Sequence, residues 1–593
     1  MKIIQQIQSF HWSPKFTHII QRISFWISLI TVFLVFYDLG FQKSNGTAQY
    51  LITFYLSALF IGCISIGLRY LFSSKRPGFK VKVIDIVILT LFIFLILIRT
   101  DLLVADLEFF NKKGWLYLAV FLYFIREFSS LRLDFKTQYF NPAQLFITSF
   151  FGIILIGTFL LLLPNATHSG ISLIDALFTS TSAVCVTGLI VVDTGSYFTQ
   201  FGQSIILVLI QIGGIGIMTF ATYFSYFFRG QSTYETQLMM RDMTNSEKIG
   251  EVFSAMKKIL LITFVIEFLG GILIFFSLGK SVSGFGPKLF FSMFHTISSF
   301  CNAGFSTLAN SLYEPGFRFN YPLHIILALL FILGGLGFPI VLNVYTYFKH
   351  LIINRVLPLR NNERCLHRPW VINMNTRIVL STTLILLVGG SIGFYALEYN
   401  NTLAIHNSFG KIVTAFFGAA TPRTAGFNSI DYNDLRFGTL MLIFLLMWIG
   451  ASPASTGGGI KTSTFAIATL NFFSLARGKD RIELYKREIA DISVKRAFAI
   501  ISLSLMVIGI AISLIVTFDP DKNLLKIAFE CFSAYSTVGL SMGLTSALSD
   551  PSKLVLIATM FIGRVSMLTI LIAMLRRVRH LNYKYPTEEI LIN

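Results

Sequence analysis

Four short stretches decide how this chain is read: Val186-Thr187-Gly188-Leu189-Ile190, Asn302-Ala303-Gly304-Phe305-Ser306, Thr424-Ala425-Gly426-Phe427-Asn428 and Thr537-Val538-Gly539-Leu540-Ser541. Each is centred on a glycine, and successive glycines lie 116, 122 and 113 residues apart. Before each runs a Ser/Thr-containing amphipathic segment: LIDALFTSTSAV, LFFSMFHTISSF, KIVTAFFGAATP and LLKIAFECFSAY. A helix of a dozen residues reaches only about 18 Å, too short for a hydrocarbon core about 30 Å thick. Such a segment is expected to enter a membrane and turn back. Longer apolar segments flank each one, so one unit of helix, half-helix, loop and helix is used four times. A further glycine falls in the span after three of the loops, Gly213, Gly450 and Gly563, at 24 or 25 residues; in the second unit Gly334 follows at 30.

The composition supports a membrane setting. Of 593 residues 54% are hydrophobic and 13% charged, 61 are phenylalanine, and the mean hydropathy is +0.71. An ordinary soluble domain carries about 25% charged residues, so a soluble enzyme and a nucleic-acid binder are both excluded. The net charge of +19 is informative only when mapped. Loops between units and the C-terminal tail hold 22 Lys or Arg against 11 acids, whereas segments within units hold 9 against 10. The positive-inside rule places the inter-unit loops in the cytoplasm and the glycine loops toward the outer side.

Four apolar stretches precede the repeats, at about 22–41, 50–72, 83–104 and 114–128, and the first reads as a retained span, not a cleaved signal. The expected fold is an all-α polytopic membrane protein with four pore repeats around a central pathway, preceded by four extra N-terminal transmembrane helices. That makes 12 spans, both termini cytoplasmic. The divisions are 1–140 for the N-terminal module, 141–230, 250–350, 370–476 with an intramembrane loop, and 490–593 with the tail. A voltage sensor needs arginines recurring every third residue on one helix; Arg126 and Arg132 do not supply that series, and packing or assembly is the expected role of the module. Cys63, Cys185, Cys301, Cys365 and Cys531 are scattered without metal-ligand spacing, so neither a disulfide framework nor a zinc site is expected.

Non-helical backbone at membrane depth is tolerated only where protein buries it or where it lines a wet cavity. Four inward breaks therefore imply a pathway, and rings of backbone carbonyls can replace the hydration shell of a monovalent cation. The candidate ion-binding residues are Val186, Thr187, Gly188, Asn302, Ala303, Gly304, Thr424, Ala425, Gly426, Thr537, Val538 and Gly539. Arg423 stands where the other units have Cys185, Cys301 and Ser536, and is expected to point behind the loop and bond carbonyls there. Asp193 and Asp431, each five residues past a glycine, are either an acidic outer rim or turn caps; His295 is expected to be a hydrogen-bonded packing residue. After residue 140 the charges expected inside spans are Glu267, Lys461 and Arg564. Lys461 follows Gly450-Ala-Ser-Pro-Ala-Ser-Thr-Gly-Gly-Gly459, a run that cannot hold a helix, because Pro453 lacks a donor and each glycine costs about 1 kcal/mol relative to alanine.

The stretches TSTSAVCVTGLIVVDT (179–194), FHTISSFCNAGFST (294–307), TPRTAGFNSID (421–431) and AYSTVGLSMG (534–543) resemble the pore loops of the Trk/Ktr/HKT superfamily of cation transporters. The Ktr/Trk-type bacterial potassium-uptake membrane subunits are the nearest type, and the resemblance spans about residues 141–580. It implies potassium uptake, since glycine in all four loops goes with potassium selectivity in that family. It also implies that the run from 450 is an intramembrane gating loop, with Gly450, Ser452, Ser455, Thr456, Gly457, Gly458, Gly459 and Lys461 as gate residues, and that Arg564 holds it. An alternative for Arg564 is a structural clamp with Glu267. The resemblance further implies a homodimer regulated by a cytosolic nucleotide-binding ring. No nucleotide-binding Gly-rich motif occurs in this chain, so that ring would be a separate subunit, docking on basic loops such as 349–377 and 477–496, where anionic lipid is an equally physical partner. No cofactor is expected beyond potassium as substrate. A sodium- or proton-coupled carrier is the alternative, although only Glu267 could serve as its midplane relay; a membrane enzyme would need a His, Asp or Ser cluster, and none is present.

Overall fold

A computed structural model gives the architecture and describes residues 14–41, 45–72, 79–100, 110–130, 142–215, 252–279, 281–361, 372–567 and 570–571. Cys365, Arg132, most of the first inter-unit loop and the basic tail lie outside the described residues. Four helices come first: α1 (Pro14–Gly40), α2 (Asn45–Phe72), α3 (Phe79–Arg99) and α4 (Lys113–Ser130). They pack around Val35, Tyr55, Phe92 and Tyr123.

This bundle also buries charge. Arg126 donates to Asp85, its Nη2 at 2.8 Å from Oδ2, and Arg69 donates to Glu127. Tyr70 Oη donates to Asp85 at 2.7 Å and Ser65 Oγ to Glu127 at 3.1 Å. Both carboxylates are fully buried, which is sustainable only because each has a cation and a hydroxyl partner. The bundle meets the rest of the chain at the end of α1, where Asn165 Nδ2 donates to Leu39 O at 2.9 Å.

Among the described residues, fourteen further helices of at least twelve residues follow in four groups. The first is α5 (Pro142–Leu161), α6 (Leu173–Val184) and α7 (Gln200–Gly214); the second is α8 (Val252–Ser277), α9 (Phe285–Phe300), α10 (Tyr321–Leu336) and α11 (Phe338–Asn361). The third is α12 (Met374–Glu398), α13 (Ser408–Ala420), α14 (Phe437–Trp448) and α15 (Thr462–Ala476); the fourth is α16 (Asp491–Phe518), α17 (Leu524–Ser536) and α18 (Asp550–Val565). The short helices α6, α9, α13 and α17 coincide with the amphipathic segments. Three begin on side-chain caps: Ser172 Oγ accepts from Asp175 N, Asn407 Oδ1 from Gly410 N and Asn523 Oδ1 from Leu525 N, which satisfies amide groups that a helix start leaves open.

The groups close into a ring. Helix α7 packs on α9, α10 on α13, α14 on α17 and α18 on α6, so the helix after each glycine loop lies against the short helix of the next group. Glycines make these approaches possible. A Cβ added at Gly213, Gly334 or Gly563 would run into the carbonyl oxygen of Val184, Phe300 or Tyr535, in each case four residues before a loop glycine.

By length and composition, five helical stretches among the described residues can cross a membrane: Gln21–Gly40, Gly46–Leu71, Lys258–Ser277, Met374–Glu398 and Asp491–Phe518. A sixth is a broken pair, Tyr321–Leu336 and Phe338–Ile352, bent by 101°. The break has a local cause. Gly337 takes φ +85°, which glycine adopts without steric cost, and Pro339 supplies no amide to continue the earlier helix. A Cβ on Gly337 would lie 2.5 Å from Pro453 O, so the bend seats this helix against the loop after α14. Between α15 and α16 a hairpin of β1 (Glu483–Leu484) and β2 (Arg487–Glu488) pairs antiparallel. Its turn residues Tyr485 and Lys486 both have positive φ, as tight two-residue hairpins require.

Candidate functional site

The four glycine loops meet at the centre of the ring of helices. Each repeats one backbone pattern, with positive φ at the glycine and at the residue two before it: Val186 and Gly188, Asn302 and Gly304, Thr424 and Gly426, Thr537 and Gly539. A non-glycine residue in this region costs about 1–2 kcal/mol. That cost is carried at the same position four times, so the surrounding helices impose it. Amides of the loops are tied back to the short helices: Thr187 N donates to Ser182 O at 2.8 Å, Ala303 N to Ser298 O at 2.7 Å, Ala425 N to Thr421 O at 2.9 Å and Val538 N to Ser533 O at 2.9 Å.

Hydroxyls complete the anchoring. Gly188 N donates to Ser182 Oγ at 3.0 Å and Gly539 N to Ser533 Oγ at 3.1 Å, while Ser298 Oγ donates to Phe305 O and Thr421 Oγ1 to Phe427 O. These four residues were not singled out in the sequence. The signal was nevertheless visible, since serine stands six residues before the glycine in three of the four units.

With the amides turned outward, the carbonyls are left over. Among the described residues, the oxygens of Thr187, Ala303, Ala425 and Val538 accept no hydrogen bond from the protein, although all four residues are fully buried. Buried carbonyls are rarely without a partner. Their mutual placement is cyclic: a Cβ on Gly188 would meet Ala303 O, one on Gly304 would lie 2.9 Å from Ala425 O, one on Gly426 would meet Val538 O, and one on Gly539 would meet Thr187 O. The four glycines therefore form a closed ring in which each faces the carbonyl of the next loop.

One side of the ring opens into a cavity of about 390 Å³ that all four glycines line. Asp193 and Asp431 line it as well. Both also cap turns, Asp193 Oδ1 accepting from Ser196 N at 2.7 Å and Asp431 Oδ1 from Asn433 N at 2.9 Å, so the two sequence readings describe the same side chains. His295 is buried, its Nδ1 3.0 Å from Phe291 O and its Nε2 3.0 Å from Ser306 Oγ, the latter on the rim of the cavity.

The other side is covered by residues 449–461. Helix α14 ends at Trp448 and α15 begins at Thr462, with the Gly/Ser/Pro run between them. Gly457 and Gly458 press on the loops so closely that a Cβ on them would strike Thr424 Oγ1 and Thr537 Oγ1. Thr456 Oγ1 donates to Asn302 Oδ1 at 2.8 Å. Ser452 N donates to Gly335 O at 3.0 Å, Ala451 N to Gly458 O at 3.4 Å, and Ser455 Oγ to Ser452 O at 2.6 Å. Gly450 and Gly459 lie face to face where the segment enters and leaves.

Three cations hold this segment. Arg564 donates to Thr456 O and, at 2.6 Å, to Gly213 O. Lys461 Nζ donates to Gly457 O at 2.7 Å. Arg423 turns away from the ring centre, its Nη2 3.5 Å from Gly450 O. The alternative clamp does not form: Glu267 accepts from Gln211 Nε2 at 3.0 and 3.2 Å, and the carbonyls of Thr456 and Gly213 take the guanidinium of Arg564.

Buried acids outside the sequence shortlist also shape the site. Glu530, on α17, accepts from Ser541 Oγ at 2.6 Å, Thr545 Oγ1 at 2.8 Å and Met542 N at 3.1 Å, fixing the chain just after Gly539. Glu398, the last residue of α12, accepts from Thr439 Oγ1 at 2.6 Å and Arg436 N at 3.0 Å. Both read in the sequence as charges of loop or half-helix, and only the packing shows that they are enclosed.

Comparison with known proteins identifies the family. The family model described as "TrkH: Cation transport protein" matches residues 120–580. The potassium/sodium uptake protein NtpJ of Enterococcus hirae is 36% identical over 460 residues, covering 76% of this chain and 97% of that protein. The Ktr system potassium uptake protein B of Bacillus subtilis is 36% identical over 453 residues, covering 76% of this chain and 96% of that one. Among solved structures, the potassium transporter TrkH from Vibrio parahaemolyticus superposes with a TM-score of 0.59 at 15% identity, covering 94% of this chain and 98% of that one. A multi-pass helical membrane protein with this sequence and fold belongs to the TrkH cation transport protein family.

Proposed function

We propose that the chain takes up potassium across the cytoplasmic membrane through the ring of four glycine loops, and that residues 449–461 with Arg564 gate the passage. The observation that carries this reading is the closed ring of buried carbonyls that have no protein donor among the described residues. Such oxygens suit a dehydrated monovalent cation, and no redox or acid-base chemistry is required of them. The printed names of the 36% identical relatives, potassium uptake and potassium/sodium uptake, support the choice of ion. The membrane potential would supply about 2.3 kcal/mol per charge per 100 mV.

In this reading the cavity side faces outward, the inter-unit loops and both termini are cytoplasmic, and the N-terminal bundle is an assembly module. The chain works as a homodimer with a separate cytosolic nucleotide-binding regulatory subunit. The relatives described as parts of a Ktr system favour a membrane subunit that acts with another component. Potassium-dependent growth and ⁸⁶Rb⁺ uptake in a host lacking its own potassium uptake test the proposal. Uptake restored by the chain is expected, with higher uptake from Arg564→Gln in the absence of the regulatory subunit. Failure of both the wild type and Arg564→Gln to restore uptake, as proteins that reach the membrane, would overturn it.

A further inference from the structure

A second cavity, of about 10 Å³, lies between α10, α12 and the third glycine loop. Phe331, Leu336, Leu387 and Ala420 form much of its wall, and among the described residues Thr383 and Arg423 supply the polar side chains that line it. Both are more than nine-tenths buried, and each keeps a buried polar atom without a hydrogen-bond partner, Thr383 Oγ1 and Arg423 Nε. The Thr383 hydroxyl differs from its neighbours on α12. Ser381 Oγ donates to Arg377 O at 2.8 Å, Thr382 Oγ1 to Ile378 O at 2.7 Å and Ser391 Oγ to Leu387 O at 2.6 Å, the usual recourse of a hydroxyl inside an apolar helix. Arg423 is the more costly of the two to leave open, because its donor is charged. Its guanidinium reaches Gly450 O only at 3.5 Å, and no carboxylate pairs with it among the described residues.

An ordered water needs about 10–15 Å³ of such space and two to four polar partners. A halide ion is larger than a water, and a guanidinium repels a cation, so size and charge together select water. We propose that this cavity holds one ordered water that accepts from Arg423 Nε–H and donates to Thr383 Oγ1, and that Thr383 is through it a positioning residue for the third loop. Arg423 stands directly before Thr424, and Ala425 O, in the same loop, is an open acceptor of the ring. Bound to the water, the guanidinium is held off that oxygen. Deprived of it, the arginine has a ring carbonyl to turn to, and taking it would remove a ligand from the permeating ion. The water site stands on the packing alone, while its effect on flux rests on the conduction reading proposed above.

The test compares full-length wild type, Thr383→Val and Thr383→Ser. Crystals grown in bromide, at a resolution that shows ordered waters, are followed by anomalous scattering, and ⁸⁶Rb⁺ uptake in competition with sodium is measured in proteoliposomes. Wild type and Thr383→Ser are expected to show a water peak between residue 383 and Arg423 with no anomalous signal. Thr383→Val is expected to lose the water, and its rubidium-over-sodium preference is expected to fall about tenfold, as for a buried donor left open, whereas Thr383→Ser keeps the wild-type preference. A bromide peak in the cavity, no water there in the wild type, or a water that persists in Thr383→Val would overturn the site. Loss of the water with an unchanged preference would overturn the positioning role. Wild-type protein without flux would overturn the conduction reading instead, and the water peaks then decide the site by themselves. Thr383→Cys, whose thiol is a weak partner, replaces the valine variant if that one does not fold, with the same outcomes expected.

Discussion

Gly426→Ala is the most direct probe of the ring. Gly426 has φ +78°, and an alanine there carries the left-handed penalty of about 1–2 kcal/mol. Its Cβ would also strike Val538 O and lie 3.2 Å from the Gly304 Cα and 3.3 Å from the Gly539 Cα. All three are backbone atoms of other loops, so no side chain can rotate away, and overpacking of this sort costs about 1–3 kcal/mol more. The sum is about 2–5 kcal/mol against the intact ring. At about 1.4 kcal/mol per tenfold, the lower end already corresponds to roughly a 30-fold loss of the conducting arrangement.

The assay is competitive ⁸⁶Rb⁺ uptake against sodium in proteoliposomes holding the full-length variant, with thermal melting alongside. A fall in both flux and potassium-over-sodium preference is expected. Gly389→Ala is the control: it lies in α12, where an added Cβ meets nothing within 4 Å, and alanine there is worth up to about 1 kcal/mol of helix stability. A folded Gly426→Ala protein with wild-type flux and selectivity would refute the argument that the four glycines are required by contact with one another.

Three other outcomes follow from the geometry. Glu530→Ala removes the acceptor shared by Ser541, Thr545 and the Met542 amide; with buried donors left open, a loss of about 3 kcal/mol is expected in chemical denaturation, and Glu530→Gln should lose much less. In the N-terminal bundle, Asp85→Asn strands the Arg126 guanidinium and should cost about 3–5 kcal/mol, whereas the double change Asp85→Leu with Arg126→Leu should recover most of it; equal melting temperatures for single and double variants would mean that the pair is not the determinant. Gly337→Ala forces a side chain toward Pro453 O from a left-handed residue. It should displace the covering segment and raise basal ⁸⁶Rb⁺ leak, and unchanged leak would show that α10 does not hold that segment in place.

Much of the architecture follows from local chemistry. Half-helices too short to span, apolar flanks long enough to do so, and glycines where the backbone must turn leave little choice of unit, and the loop glycines could be named from their spacing alone. Local physics also fixed the interruption after α14, because Gly450, Pro453 and Gly457 to Gly459 cannot continue a helix whatever surrounds them.

Tertiary packing decided what those residues touch. That each loop glycine faces the carbonyl of the next loop is a property of four segments more than 100 residues apart, and no spacing along one segment encodes it. The same holds for Arg564, which could have paired with Glu267 but bonds carbonyls of two other groups, and for Glu530 and Glu398, whose burial depends on neighbours from other elements. Asp85, Glu127, Arg69 and Arg126 show why charge is hard to place from sequence: burial makes each one costly alone, and only the crossing of α2, α3 and α4 brings the opposite charges together. The sequence by itself determined where the backbone must break and which residues could tolerate the break. The tertiary structure decided which oxygens those breaks turn toward one another, because a site built from main-chain carbonyls has no side-chain signature to read.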